Sequence, residues 1–395
     1  MSAWPAAERF ANVMPGAEPR QLDSQNVLEY THSTAKTFWI LHLQSQPFLN
    51  TMPVTIKDVA KRVGRSITTV SRALNDYDDV SEETRRIIKQ AAEEMGYVPS
   101  SIAQKLQKKQ AETIGVILPT FGPRFSDPFF SEFLAGIGNA AARHGFDLLV
   151  STRAPGPEEI ETYLKNIRSR RVDGFIIVRT RRDDPRIALL QKNNYPFAAF
   201  GRIEDNNRFY FVDEDSRAGM AMVVNHLIEQ GHRRIAFIAA PPELMFAHYR
   251  LKGFTSALQA HHLPPDPTLI VEGDLTQRSG RQVAQQLLNL PAPPTAIAAC
   301  NDLMAIGVMS ALQARGLVVG RDIAVTGFDD IPWAEHTHPP LTTVHQPIYR
   351  IGAMVCEMLI NVIKSQAPAS GQIILQPTLI VRKSTGASTA PTNKK

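Results

Sequence analysis

Residues 54–75 read VTIKDVAKRVGRSITTVSRALN, and this stretch decides the architecture of the N-terminal part of the chain. Thr55 is a natural N-cap for a helix over Ile56–Val63, in which apolar residues recur at i, i+3, i+4 and i+7. Gly64 ends that helix, and a second helix follows over residues 67–75. Two short helices joined by a glycine-containing turn predict a helix-turn-helix.

The positive charge of the chain is concentrated in the same stretch. The whole chain of 395 residues carries a net charge of +5, whereas residues 53–75 hold five basic residues and one acidic residue, a net charge of +4. The exposed face of the second helix carries short polar side chains and Arg72, which suit phosphates and base edges. A third helix opens at Ser81 and ends before Pro99. This pattern favours DNA binding; the alternative is a small helical bundle with a solvated polar face.

Four segments of this region carry a resemblance to a known family. They are VTIKDVA at 54–60, TVSRALN at 69–75, VSEETR at 80–85 and GYVP at 96–99. They resemble the headpiece of the lactose/galactose-repressor (LacI/GalR) family of bacterial transcription regulators. The resemblance continues from Thr113 to about Ser384, and residues 1–51 lie outside it. It implies a cytoplasmic, homodimeric repressor that reads a pseudo-palindromic double-stranded operator.

The resemblance also implies which residues contact DNA. In the headpiece, residues at the major groove or on phosphates would be Thr55, Ser66, Ile67, Thr68, Thr69, Ser71, Arg72 and Asn75. Arg65 stands where the family usually has an aliphatic turn residue, and it would add a phosphate contact. On its residues alone, the weakly helical stretch 101–107 is a linker. In the family this stretch folds on operator DNA and inserts a leucine into the minor groove. Ala103 and Leu106 would make these contacts here, with Leu106 in the place of the inserted leucine.

Beyond Gln110 the pattern changes to alternating strands and helices. Apolar runs of strand length, such as Thr113–Pro119, alternate with amphipathic helical stretches over most of the remaining chain. This alternation predicts an α/β sensor of two doubly wound parallel-sheet subdomains, and the family's version of it is periplasmic-binding-protein-like. A break near residues 213–215 separates the two sets of units, and a single terminal strand is expected over residues 373–381.

The expected domain boundaries follow from these patterns. Residues 1–51 are expected to be a disordered extension or upstream sequence included by a mis-assigned start codon, 52–98 the headpiece and 99–111 the hinge. The sensor covers 112–384, with an N-subdomain at about 112–212 plus 346–366 and a C-subdomain at about 213–345 plus 370–384. Residues 385–395 form a flexible tail. Dimer contacts are expected on the first subdomain, from the helices near 128–143 and 347–364.

Polar residues at strand ends predict a small-molecule site in the crevice between the subdomains. Such a residue, taken alone, is more often a helix cap than a ligand contact. Carboxylates, an amide, guanidiniums and aromatic rings together suit the hydroxyls and apolar face of a sugar, and the candidates are Asp127, Phe129, Arg179, Arg202, Arg250, Asn301, Asp329 and Trp333. Arg250 is expected to open the helix after the proline loop at 241–242. The resemblance assigns Arg250, Asn301 and Asp329 to effector binding. Leu275 stands where some relatives have a stacking Trp, so Trp333 would supply that face.

Other classes of function find little support in the sequence. It has no Gly-x-Ser-x-Gly, no Walker loop and no Gly-x-Gly-x-x-Gly after the first strand, so no enzyme activity and no cofactor are expected. His336, His338 and His345 lie in Pro-rich loop and strand and are interpreted as ordinary loop histidines rather than a metal site. Cys300 and Cys356 are expected to be reduced thiols. No apolar run reaches the length of a membrane span. A secreted solute-binding protein and a sugar-processing enzyme remain as alternatives.

Overall fold

The computed structural model describes residues 54–98, 110–120, 127–204, 208–366 and 371–386. The chain divides into two compact units, residues 1–100 and 101–395. The predicted extension at 1–51, the hinge residues Ala103 and Leu106, and most of the predicted tail lie outside the described residues.

The first unit contains three helices over its described residues: α1 (Ile56–Val63), α2 (Ile67–Leu74) and α3 (Glu82–Glu94). Their small shared core is built from one or two apolar residues per turn, and its fully buried members are Val59, Val70, Ala73 and Ile88. Gly64 ends α1 with φ = 63°, a left-handed conformation that a glycine adopts at little cost. The predicted helix-turn-helix is therefore present with its expected boundaries.

The first lobe of the second unit is built on a six-stranded parallel sheet with the order β11-β5-β4-β3-β1-β2. Its strands are β1 (Thr113–Pro119), β2 (Asp147–Arg153), β3 (Gly174–Ile177), β4 (Phe197–Phe200), β5 (Tyr210–Glu214) and β11 (Gln372–Leu375). Its helices are α4 (Pro128–Arg143), α5 (Pro157–Arg168), α6 (Pro185–Lys192) and α11 (Ile348–Ile363). Helices α4 and α11 pack on one face of the sheet, and α5 and α6 pack on the other, so the lobe is doubly wound.

The second lobe has a four-stranded parallel sheet with the order β7-β6-β8-β9. Its strands are β6 (Ile235–Ala239), β7 (Ile270–Glu272), β8 (Ala296–Ala299) and β9 (Ala324–Thr326). Its helices are α7 (Ser216–Glu229), α8 (Met245–Ala260), α9 (Gln277–Leu288) and α10 (Asp302–Ala314). They enclose one continuous apolar core. Short 3-10 turns lie at Pro267–Leu269 and Ala334–His336.

Three segments connect the lobes within the described residues. The chain crosses between β5 and α7, between β10 (Thr343–His345) and α11, and between β11 and β12 (Thr378–Ile380). β10 and β12 pair antiparallel beside the second lobe. Connections of this kind allow two lobes to move relative to each other about a shared crevice.

The structure corrects several details of the predicted boundaries. Residues 213–214 complete β5 of the first sheet, because they pair with β11, so the lobe boundary falls after Glu214. The single terminal strand is two strands in different lobes, since Pro377, which has no backbone N–H, lies between them. β11 therefore belongs to the first lobe, although residues 370–384 are predicted in the second.

Arg250 does not open its helix, because α8 already begins at Met245 and places Arg250 in its second turn. Helices α6 and α9 complete the expected alternation of strands and helices; α6 has only 8 residues, and α9 buries Gly280, Val283, Ala284 and Leu287 at helical spacing.

No helix in the described part of the chain is long and apolar enough to cross a membrane.

Candidate functional site

The outer face of α2 is the candidate DNA-reading surface. Its side chains stand away from the core: Ile67 is 45% exposed, and Thr68 and Arg72 are also exposed. Arg72 forms an ion pair with Asp79, and both side chains are about half exposed. The predicted phosphate contacts Thr69, Ser71 and Asn75 are partly buried at the edges of this face, while Thr55, Arg65 and Ser66 are exposed at the helix ends. The structure therefore brings the predicted headpiece residues to one side of the helix pair.

Two of these hydroxyl residues also hold the helices in place. The Ser66 Oγ accepts a hydrogen bond from the Thr69 backbone N–H at 3.1 Å and caps α2. The Thr55 Oγ1 and backbone N–H donate to the Asp58 carboxylate at 2.7 and 2.9 Å. These bonds hold the pKa of Asp58 below its usual value. The cap residues thus orient the α1–α2 turn as well as facing outward.

A cleft lies in the second unit, where the carboxyl ends of strands from both lobes meet. Its lining combines apolar and aromatic residues with a few converging charged groups, as is typical of a small-molecule site. Seven of the eight predicted effector residues line it: Asp127, Phe129, Arg179, Arg202, Arg250, Asn301 and Asp329. The eighth, Trp333, is absent from this lining and is 51% exposed at the turn before Ala334–His336.

Each cleft arginine faces an aspartate. Arg179 donates to Asp127 at 2.7 Å, and Arg250 donates to Asp329 at 3.2 Å. The third pair is longer, with the Arg202 Nη1 at 3.5 Å from the Asp213 carboxylate. These pairs give the cleft oriented donors and acceptors, and two of them join residues more than 50 positions apart in the chain.

Aromatic rings back the guanidiniums. The Arg250 Cζ lies 3.6 Å from the centre of the Phe328 ring and 4.9 Å from that of Phe246, and the Arg202 Cζ lies 4.4 Å from the Tyr249 ring. The apolar wall also includes Phe129, Phe200 and Leu275. Residues of the lining that sequence reasoning missed are Val178, Thr180, Phe200, Gly201, Asp213, Glu214, Ser216, Phe246, Tyr249 and Gln346. The aromatic residues at 246 and 249 precede Arg250 on the same helix. This spacing is the sequence signal that indicates them as further cleft residues.

Two predicted residues serve as helix caps as well as lining the cleft. Asp127 accepts from the Phe129 backbone N–H at 3.1 Å and caps α4. Asn301 accepts from the Met304 N–H at 3.0 Å and caps α10, while its side-chain amide donates to the Leu275 carbonyl at 3.1 Å. Both residues are thus helix caps, as the alternative interpretation of strand-end polar residues expects, and both also line the cleft.

The backbone is strained at three cleft positions. Arg179 has φ = 53°, Leu275 has φ = 70° and Asp329 has φ = 118°, all in the left-handed region that side chains disfavour. Strain of this kind persists where the surrounding structure imposes it, and it clusters at ligand sites and switches. For Arg179 the support is visible, because the buried Arg186 donates to its carbonyl at 2.9 Å.

The pKa values of Asp213, Glu214 and Asp329 in the cleft are raised, which favours the protonated form. Burial raises the pKa of Asp329 to about 7, although the Arg250 guanidinium acts in the opposite direction. Burial likewise raises the pKa of Asp213 to about 6 and that of Glu214 to about 8. Shifts of this size concentrated in one cleft are typical of a functional site. The described residues hold no group of three or more His, Cys, Asp and Glu side chains arranged to bind a metal ion.

Comparison with known proteins places both units. Residues 55–100 match the family described as bacterial regulatory proteins, lacI family, and residues 224–385 match a periplasmic binding protein-like domain. The HTH-type transcriptional repressor CytR of Escherichia coli (strain K12) is 37% identical over 333 residues, 84% of this chain and 96% of that protein.

Two solved structures are similar over the same range. A Lac repressor dimer bound to operator and the anti-inducer ONPF is 33% identical with a TM-score of 0.75, covering 85% of this chain and 100% of that one. A complex of the transcriptional regulator CelR with cellobiose is 32% identical with a TM-score of 0.66, covering 84% and 99%. With a headpiece, a two-lobed sensor and relatives that match over nearly their full length, the chain belongs to the lacI family of bacterial transcription regulators.

Proposed function

We propose that the protein is a homodimeric repressor of a carbohydrate-utilisation operon, and that a small sugar in the inter-lobe cleft controls its affinity for operator DNA. Membership of the family makes the chain a DNA-binding transcription regulator with an effector domain, and not an enzyme. The sugar, the operon and the dimer are the parts that we propose. A regulator of this kind acts in the cytoplasm, where the operator is.

The cleft is the observation that carries the sugar proposal. Paired arginines and carboxylates offer donors and acceptors in fixed directions, and the rings of Phe129, Phe246 and Tyr249 offer apolar faces. Sugar hydroxyls both donate and accept, and the C–H faces of a sugar ring pack on aromatic rings. The relative CelR has been solved with cellobiose, which supports a carbohydrate in a cleft of this architecture.

The proposed mechanism is a population shift. A sugar that contacts Asp127 and Arg179 from one lobe and Arg250 and Asp329 from the other favours one relative position of the lobes. The chain enters the first lobe through the hinge at 99–111, so that a change in lobe position alters the spacing of the two headpieces on a pseudo-palindromic operator. Operator affinity then follows sugar occupancy.

A gel-shift experiment tests the proposal. The full-length protein is incubated with the intergenic DNA upstream of its own gene, with and without a panel of mono- and disaccharides, at low and physiological salt. We expect a specific complex whose stability one or a few sugars change. Absence of any specific complex at low salt would refute the DNA-binding part, and a complex unaffected by every sugar would refute the sugar part.

A further inference from the structure

Glu214 is a buried cleft residue whose carboxyl has no hydrogen-bond partner among the described residues. It is the last residue of β5, immediately before the chain crosses to the second lobe, and it lines the cleft. Its relative exposure is 1%. Both carboxyl oxygens are buried, and neither has a hydrogen-bond partner among the described residues. A buried polar group in this state costs free energy and needs an explanation outside the fold.

The charge arrangement of the cleft sets Glu214 apart. The guanidiniums of Arg179, Arg202 and Arg250 each face an aspartate, at 2.7, 3.5 and 3.2 Å. Glu214 is the fourth carboxyl in the lining, and none of these arginines bonds to it. The cleft therefore offers an incoming ligand one carboxyl that has no hydrogen-bond partner among the described residues. It offers an incoming anion no free guanidinium, because each cleft arginine already faces an aspartate.

Two buried donors of the cleft arginines also lack hydrogen bonds. The Arg250 Nε and the Arg202 Nη1 have no hydrogen-bond partner among the described residues. Hydroxyl groups satisfy both kinds of atom, because each hydroxyl accepts from a guanidinium and donates to a carboxyl. An amino group donates to the carboxyl as well. A carboxylate or phosphate group on the ligand has no proton to give to Glu214, and it places a negative charge in a buried site whose arginines already face aspartates.

We propose that Glu214 accepts hydrogen bonds from hydroxyl or amino groups of the effector, and that the cleft consequently takes neutral and amino sugars and rejects sugar acids and sugar phosphates. The inference rests on the proposed sugar function and narrows its chemical class. Burial raises the pKa of Glu214 to about 8, because a negative charge is costly at this position, and an anionic group of the ligand placed there meets the same cost.

A series of ligands that share a sugar ring and differ in charge tests this inference on the full-length protein. Glucose, galactose and mannose are each compared with their 2-amino, uronic acid and 6-phosphate forms, together with cellobiose and maltose, by thermal shift and isothermal titration. We expect binding among the neutral and amino forms, and at least tenfold weaker binding of the matched acid and phosphate.

Variants of Glu214 separate ligand recognition from a structural role. Glu214→Gln keeps the size of the side chain but cannot ionise, and it replaces one carboxyl oxygen by an NH2 group that can only donate. A ligand hydroxyl that loses its acceptor in this buried site costs about 1–3 kcal/mol, so we expect the affinity for the best neutral sugar to fall about 5- to 100-fold. The ratio between the affinity for the neutral sugar and the affinity for its acid form should become smaller at the same time. Glu272→Gln, on an exposed residue at the end of β7, is the control and should change neither quantity.

The outcomes are distinguishable. If the uronic acid or the phosphate binds as tightly as the neutral sugar, or if Glu214→Gln leaves both affinity and discrimination unchanged, the inference is wrong while the sugar function stands. If no sugar of any charge binds to protein that still binds operator, the sugar function is wrong and the inference falls with it. A ligand-free melting temperature of Glu214→Gln within a few degrees of wild type shows that the comparison is made on folded protein. Should that variant melt early, Glu214→Asp, which retains the carboxyl, replaces it and should keep the discrimination.

Discussion

Arg72 illustrates how a side chain can be committed to recognition at little cost to the fold. It pairs with Asp79 on the outside of the headpiece, and both side chains are about half exposed. An exposed ion pair of this kind contributes about 0–1 kcal/mol, so DNA can take the guanidinium from its partner easily. The buried residues of the same helix, Val70 and Ala73, hold the fold. Recognition and stability therefore rest on different residues of one helix.

Substitution of Arg72 should separate the two activities of the protein. We expect Arg72→Ala to weaken operator binding about 10- to 100-fold, because a bidentate contact to a base contributes about 1–3 kcal/mol, and to leave sugar binding unchanged. Asp329→Asn should do the reverse, because it removes the carboxylate that Arg250 and Gln346 contact in the cleft. Gel shift and isothermal titration on both variants measure the two activities. Arg86→Ala, an exposed residue on α3, is the control for lost charge. Loss of both activities in one folded variant would contradict this division.

Buried carboxyls make the stability of the sensor depend on pH. The folded protein holds the Glu214 proton more tightly than the unfolded chain does, since its pKa rises from 4.5 to about 8. The contribution of this group is fully present below about pH 4.5 and is lost as the pH rises to about 8. Without ligand, the melting temperature of wild type should therefore fall relative to that of Glu214→Gln between pH 5 and 8 and then level off. A constant difference across this range, in melts recorded at matched ionic strength, would show that Glu214 does not titrate in this way.

At the scale of elements, the first lobe depends on a close contact between two helices from opposite ends of its sequence. A Cβ added to Gly136 of α4 would lie 2.1 Å from the Tyr349 carbonyl oxygen of α11. One added to Gly352 of α11 would lie 2.4 Å from the Phe133 carbonyl oxygen. The two helices thus approach backbone to backbone, and this approach requires glycine on both sides. It seals the apolar cluster on one face of the sheet.

A pair of alanine substitutions on α4 tests this contact. Gly136→Ala should destabilise the protein by at least about 2 kcal/mol, because the new methyl group forces the two helices apart. Gly138→Ala lies two positions further on the same helix, where the nearest atom to its Cβ would be 3.9 Å away. That substitution should be neutral or stabilise by up to about 1 kcal/mol through helix propensity. Urea unfolding monitored by circular dichroism gives both values, and equal effects of the two variants would contradict the close packing.

At the scale of the whole molecule, the lobes of the second unit are also joined across the mouth of the cleft. The Arg182 N–H donates to the Glu243 carbonyl at 3.0 Å, and the Met245 N–H donates to the Thr180 carbonyl at 2.9 Å. Beside them Glu204 of the first lobe bonds to two side chains of α8, to His248 at 3.0 Å and to Lys252 at 2.5 Å. We call Glu204, His248 and Lys252 the inter-lobe clamp. The clamp favours the lobe arrangement in which the cleft residues face one another.

Weakening the clamp should lower sugar affinity without touching the cleft. Glu204→Gln removes partly exposed ion pairs, which are individually weak, so we expect the affinity for the bound sugar to fall only about two- to fivefold. Glu335→Gln removes an exposed pair with His336 within the second lobe and should have no effect. Isothermal titration with the sugar found in the ligand panel measures the change. Unchanged or tighter binding by Glu204→Gln would contradict a role of the clamp in closing the cleft.

The sequence by itself determined the parts of this protein that depend on local pattern. The caps at Thr55 and Ser66, the turn at Gly64 and the apolar spacing of α1 and α2 act over a few residues, so the helix-turn-helix and its outward face could be predicted. The alternation of strands and helices likewise indicated two doubly wound lobes. The short helix α6 has a weaker pattern of its own, because it has only 8 residues and depends on its packing against the sheet.

Only the tertiary structure decided how the cleft is assembled. Arg250 and Asp329 are 79 positions apart, and the packing of helix α8 beside the carboxyl ends of the second sheet brings them together. Which arginine faces which aspartate depends on distances of a few ångströms, which no local pattern encodes. The same geometry excludes Trp333 from the lining and brings in Phe246 and Tyr249. It also leaves Glu214 buried and unmatched, because a charge is paired or unpaired according to its neighbours in space and not according to its neighbours in the chain.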